Sequence, residues 1–323
     1  MKKIARLFIA AALCCASAWG KSVPLDGEWW LSYWPQPTPR IENPKEAKPE
    51  KTIKAKMPGN VEIDMLAAGE IAEPRFAKNV YKLRKYEGYQ WLYSRTFTPP
   101  KLGAGERAIL NLRGVDTLAG IFINGKNAGS TDNMLVAHKI DITDFLKDGE
   151  NKIEILLSSA VIEAFKHSYP MGCTLARRCE GLEIRKAPHM FGRDIMPRLV
   201  SAGIWKSVSV DVQKPERIED VFWFAQSVYP KAKTAKMVAF FRAPSRFEKF
   251  DDLRYNIILR RGGKTAYQLR GARTQTNCIR ALFTLENAEF WWPRTMGGPA
   301  LHEATIELAD CKKWVKLLNI ERK

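Results

Sequence analysis

Apolar residues recur at every second position of this chain, in short runs separated by turn residues, and that period excludes most architectures. Val208, Val210 and Val212 alternate with Ser207, Ser209 and Asp211. Leu253, Tyr255, Ile257 and Leu259 alternate mostly with polar partners, and Ala304, Ile306 and Leu308 repeat the pattern. Successive side chains of a strand point to opposite faces, so each run reads as a half-buried strand with one face on a core. Ile121-Phe122-Ile123 leads into Asn124-Gly125. Both turn residues tolerate positive φ, which predicts a two-residue hairpin. Gly103-Ala104-Gly105 and Arg261-Gly262-Gly263-Lys264 read as further turns. Helical pattern is confined to residues 61–68, capped by Asn60 and ended by Gly69, and to a weaker segment over 159–167. Residues 38–56, rich in Pro, Lys and Glu, read as an exposed loop. Many short strands between turns predict antiparallel sandwiches rather than an α/β sheet.

The length, 323 residues, fits two domains. The best boundary is Gln213-Lys214-Pro215-Glu216-Arg217, where a proline follows a clean strand. A large sandwich over 22–213 and a smaller one over 214–323 result. Ahead of them, Lys2, Lys3 and Arg6, an apolar run from Leu7 to Cys15, and Ala16-Ser17-Ala18 make a secretory signal over 1–18. Cys14 and Cys15 leave a lipoprotein reading open, opposed by the bulky Leu13. The expectation is export to the periplasm or the extracellular space. No later stretch is apolar for long enough to span a membrane. An oxidising compartment permits disulfides among Cys173, Cys179, Cys278 and Cys311, with three pairings open. These cysteines form no Cys-x-x-Cys and the four histidines are scattered, so no metal site and no cofactor are expected. The excess of 52 basic over 35 acidic residues, a net +17, favours weak attraction to anionic partners and is silent about fold.

Several blocks taken in order resemble one family. They begin with Met57-Pro58-Gly59-Asn60, Asp64-Met65-Leu66 and Gly69, then the strand from Tyr89 to Phe97. Gly114-Val115-Asp116-Thr117, Asn124-Gly125 and Thr131-Asp132-Asn133-Met134 follow, then the segment 141–151. Arg185-Lys186-Ala187, Phe191-Gly192, Asp194, Pro197-Arg198-Leu199 and Ala202-Gly203-Ile204-Trp205 close the first domain. Phe290-Trp291-Trp292-Pro293 with Leu301 belongs to the second. Together they resemble the N-terminal sugar-binding and immunoglobulin-like domains of glycoside hydrolase family 2 β-mannosidases. The resemblance implies an all-β chain: a galactose-binding-like jelly-roll sandwich, then an immunoglobulin-like β-sandwich, with no catalytic (β/α)8 barrel. In that family the barrel follows and carries two glutamates roughly 5 Å apart, one acid/base and one nucleophile. The acid/base residue follows an asparagine, and no Asn-Glu pair occurs in this sequence. No residue here is therefore expected to be catalytic. The reading is a non-catalytic N-terminal portion of a β-mannosidase-like family 2 glycosidase.

 The alternative is a stand-alone exported carbohydrate-binding or surface-interaction protein, and a third reading is a degenerate fragment. A β-mannoside or another glycan, and a separate chain carrying the barrel, are the partners these readings imply.

Asp194 is the candidate substrate-binding residue. The resemblance implies that it reaches toward the terminal mannose, where a carboxylate can accept two adjacent hydroxyls. The family's flanking tryptophans are Arg193 and Ile195 here, and Met196 replaces a glycine. The competing reading pairs Asp194 with Arg193 or Arg198. Trp291 and Trp292 could stack on a sugar, but strand tryptophans buried in a core or an interface are the expectation, as for Trp91, Trp205 and the Trp29, Trp30 and Trp34 group. Asp132 and Asn133 supply too few oxygens for calcium and read as a turn. The basic and aromatic residues at Tyr81, Lys82, Arg84, Lys85, Tyr86 and Tyr89 read as a solvated loop rather than a nucleic-acid surface.

Overall fold

The computed structural model describes residues 21–169, 180–192, 195–214, 217–243, 254–274, 276–293 and 295–309, with the short strands Trp314–Val315 and Asn319–Ile320. The chain divides into two compact units, Lys21–Val212 and the segment from Gln213 onward. The leader over 1–18 lies outside the described residues. Among the described residues no helix is long and apolar enough to cross a membrane.

The strands of the first unit are β1 (Ser22–Pro24), β2 (Gly27–Pro35), β3 (Lys51–Met57), β4 (Tyr89–Phe97), β5 (Arg107–Leu112), β6 (Val115–Asp116), β7 (Ala119–Ile123), β8 (Lys126–Thr131), β9 (His138–Asp141), β10 (Asn151–Leu157), β11 (Gly203–Ile204) and β12 (Val208–Gln213). One sheet has the order β3-β2-β4-β10-β7-β8, a second β1-β12-β5-β9, and β11 pairs with β6. Trp29, Leu31, Tyr93, Ile121 and Ile155 of the larger sheet meet Leu110, Leu112, Val208 and Val210 of the smaller in one core. The alternation at 208–212 falls on β12, with its valines buried. Asn124 and Gly125 turn β7 into β8, both with positive φ.

Residues 38–56 are not a free loop. Their last part is β3, which pairs with β2 at the sheet edge and buries Ile53 and Ala55, with Met57 beyond them. Lys54 and Lys56 alternate with those residues on the other face and remain exposed, as does Lys51 at the start of the strand. Lysines on an edge strand discourage further strand pairing, so a lysine-rich composition and a strand are compatible there. The earlier part is fastened by the buried Gln90, whose side chain donates to the Ile41 carbonyl at 2.8 Å and accepts from the Ile41 amide at 3.1 Å. Ile41 and Ala47 thereby cover Trp34, Leu92, Phe122 and Leu156 on the outer face of the larger sheet.

The second unit pairs β13 (Glu219–Tyr229), β14 (Thr234–Arg242) and β17 (Cys278–Leu285) in one sheet. The other contains β15 (Arg254–Arg261), β16 (Lys264–Arg273), β18 (Glu303–Ala309), β19 (Trp314–Val315) and β20 (Asn319–Ile320). Phe241, Ile257, Leu259, Ile279, Phe283, Ile306 and Leu308 fill the space between the sheets. Asn256 and Ile258 are buried as well, so β15 departs from simple alternation. Asn256 is accommodated by donating to Glu307 and accepting from the Gly271 amide, both at 2.8 Å. Phe290-Trp291-Trp292-Pro293 is not a strand, and Trp291 is 60% exposed. A tight turn in which the Met296 amide bonds to the Pro293 carbonyl at 2.7 Å takes this segment off the sheet.

Helix α1 (Val61–Ala67) starts where Asn60 accepts a hydrogen bond from the Ile63 amide at 2.9 Å, and Gly69 follows it with φ of 73°. It buries Val61 and Met65 in the core, and Asp64 with them. The Asp64 carboxylate accepts from the Lys56 amide at 3.0 Å and from the Tyr93 hydroxyl at 3.4 Å. Burial outweighs those bonds and pushes the Asp64 carboxyl up to about 6. The folded chain then keeps a proton that the unfolded chain has already lost, so stability falls as pH rises through this interval. Relative to Asp64→Asn, the unsubstituted protein should lose roughly 1–3 kcal/mol between about pH 4 and pH 6. Urea unfolding of both proteins across that range checks this; parallel pH curves would refute it.

Candidate functional site

The segment that carries Asp194 leaves the first unit at Lys186 and returns at Ser201. Asp194 and Arg193 lie outside the described residues, but the base beneath them is well defined. The short β6–β11 ladder places Asp116 opposite Gly203. Lys186 is buried, and its ammonium donates to both Asp116 carboxylate oxygens at 2.5 Å and to the Ser201 carbonyl at 2.6 Å. An ammonium has three donors, so these acceptors satisfy it completely. Thr117 donates to Asp116 at 2.5 Å, and the Ser201 hydroxyl donates to Glu62 at 2.5 Å. Burial lowers the Lys186 pKa, against the pull of Asp116, and burial raises that of Glu62.

A second tie lies further along the loop. The Leu199 amide donates to the Met190 carbonyl at 3.0 Å. The Arg198 guanidinium binds Glu87 through Nε at 2.9 Å and Nη2 at 2.8 Å, and binds Glu180 through Nη1 at 2.9 Å. Its pKa is raised by those carboxylates, Glu87 foremost, and it lies over the Phe191 ring. Such forked contacts fix direction as well as distance. Gly192 has φ of 81°, and a Cβ there would approach the Arg198 Cβ to 2.7 Å. Beyond this base Ile195 is 91% exposed, so the loop next to Asp194 projects an apolar side chain into water where the resemblance placed an indole.

Beside the loop is a cavity of about 340 Å³. Asn60, Asp116 and Ser201 contribute its polar lining, and Met134, His189 and Trp205 are among its walls. Trp205 is not a core residue: it is 39% exposed, with the Lys206 ammonium 4.1 Å above its ring. Trp30 is exposed too, whereas Trp29, Trp34 and Trp91 are buried. Tyr86 and Tyr89 join Tyr33 and Trp91 in an aromatic cluster instead of lying free in a loop. The Asn133 side chain accepts from the Leu135 amide at 2.9 Å, closing the expected turn. Cys278 is exposed at the start of β17, and Cys173, Cys179 and Cys311 lie outside the described residues. Among the described residues no group of three or more metal-ligating side chains occurs. Sequence reasoning noted the blocks containing Lys186 and Asp116 but not their ion pair, because 70 residues separate the partners.

Lys186→Met should destabilise the first unit by about 3–5 kcal/mol, since it strands a buried carboxylate. Adding Asp116→Asn should recover part of that loss. Denaturant unfolding of both variants checks this, and equal loss in the two would refute the pairing as the cause.

Residues 41–206 match the family model described as the glycosyl hydrolase 2 galactose-binding domain-like domain. β-Mannosidase B of Aspergillus flavus is 27% identical over 77% of this chain and 30% of its own length. A probable β-mannosidase of Caenorhabditis elegans is 25% identical over 81% of this chain and 31% of its own. The chain thus spans about 30% of the length of the curated relatives it matches. The crystal structure of a β-D-mannosidase from Dictyoglomus thermophilum superposes with a TM-score of 0.72, at 25% identity, over 93% of this chain and 35% of that one. A Bifidobacterium dentium β-glucuronidase shares the fold, with a TM-score of 0.63 at 17% identity over 94% of this chain and 48% of that one. The chain belongs to the glycosyl hydrolase 2 galactose-binding domain-like family.

Proposed function

We propose that this chain is the non-catalytic, N-terminal portion of a β-mannosidase-like glycosidase, and that it contributes a sugar-contacting loop to a catalytic barrel. The match to the family model, which covers most of the first unit, is the observation that carries this reading. The mannosidase relatives and the 93% structural coverage support it. Glycosidic cleavage in such enzymes needs an acid and a nucleophile held roughly 5 Å apart across the scissile bond. At the cavity beside the loop, Asp116 is engaged by Lys186 and has no second lining carboxylate among the described residues. That arrangement can hold and orient a ligand but supplies no acid and nucleophile pair. Asp194, carried on a base tied by Lys186 and Arg198, would accept sugar hydroxyls, and export would bring it to extracellular glycans.

The purified chain incubated with para-nitrophenyl β-mannoside should release no nitrophenol above the blank. Saturation-transfer NMR with millimolar methyl β-mannoside should show weak contact that Asp194→Ala removes. Turnover by the chain alone would overturn the non-catalytic assignment, and contact unchanged by Asp194→Ala would overturn the role of the loop.

A further inference from the structure

The second unit holds a larger cavity, about 540 Å³, that the proposed sugar-binding role does not use. Residues of both sheets of this sandwich line it. Ala225 on β13, Leu259 on β15 and Ala304 on β18 line it, with Phe290, Trp291 and Trp292 from the segment that leaves the sheet. Volumes of this size are typical of small-molecule sites. Trp291 and Trp292 remain exposed at 60% and 43%, an unusual cost for two indoles in one short segment unless something covers them.

The polar groups in the wall are few and specific. Trp223 lines the cavity, and its indole Nε1–H is shielded from solvent with no acceptor among the described residues. Buried donors are satisfied in the great majority of cases, so an orphan donor in a cavity wall points to an acceptor on a bound molecule. Glu289 is ion-paired with Arg261 and therefore already has its partner. Burial lowers the pKa of His302 and so disfavours its charged form. Among the described residues that line it, the wall holds no carboxylate or ammonium without a partner. A pyranose would bring a hydroxyl on nearly every carbon into this space, and each one buried without a partner costs about 1–3 kcal/mol.

We infer that this cavity binds an uncharged, ring-containing apolar molecule with one hydrogen-bond acceptor, which Trp223 Nε1–H engages while Trp291 and Trp292 close over the ring. The site is independent of the Asp194 loop and of whether that loop binds sugar.

The uncharged naphthyl ketone prodan, which has a single carbonyl acceptor, is a suitable probe. Titrated into the full chain, it should bind saturably at one equivalent with blue-shifted emission. Ala304→Phe, which fills the cavity, should weaken binding by at least about tenfold. Trp223→Phe keeps the ring but removes the donor and should weaken it about fivefold. Ala225→Trp, on an exposed position of β13, blocks the cavity without altering the core and carries the test if Ala304→Phe does not fold. Absence of saturable binding, unchanged affinity in Ala225→Trp, or displacement of prodan by methyl β-mannoside would each overturn the inference.

Discussion

One buried ammonium fixes the end of the first unit that matters for ligand contact. Lys186 cannot be removed from water unless all three of its donors are met, and Asp116 and the Ser201 carbonyl meet them. Asp116 is itself held by the β6–β11 ladder, and Ser201 is where the loop returns. A single interaction therefore joins both ends of the loop to the sheet. Replacing such a pair with apolar residues can leave stability unchanged or improve it. Its contribution here is to specify position: an apolar pair would bury as well but would not fix the Ser201 carbonyl. Arg198 applies the same logic one step outward, using a fork that matches a carboxylate plane.

Local features were the most legible. The hairpin at Asn124-Gly125, the cap at Asn60 and the valine alternation on β12 each depend on residues within a few positions of one another, and each stands where the sequence predicts it. The strand hidden in 38–56 was not legible, because lysines at Lys51, Lys54 and Lys56 dominate its composition while Ile53, Ala55 and Met57 carry its period. Period is the better guide there, since a strand needs only one apolar face. The Lys186–Asp116 pair had no local signal at all. Its two motifs were visible separately, and only the fold joins them.

Tryptophan was the least reliable guide. Trp29, Trp34 and Trp91 are buried on strands facing a core or an outer cluster, whereas Trp30, Trp205, Trp291 and Trp292 lie outside the cores of this chain. The difference follows from the face and the element. Trp30 alternates with Trp29 and Leu31 on β2, so burying those two turns it outward. Trp292 lies in a turn where a Cβ on Gly297 would come within 2.8 Å of its own Cβ, which ties the indole to that turn rather than to a sheet.

The exposed tryptophans divide into two chemical settings. Trp205 borders a cavity that contains Asn60, Asp116 and Ser201, groups able to meet hydroxyls. Trp291 and Trp292 border one whose wall holds the buried Trp223 donor, which has no acceptor among the described residues. An indole face serves either a sugar or an apolar ring, because both present C–H groups to it. The polar groups behind the indole decide between them. By that criterion these two cavities suit different ligands.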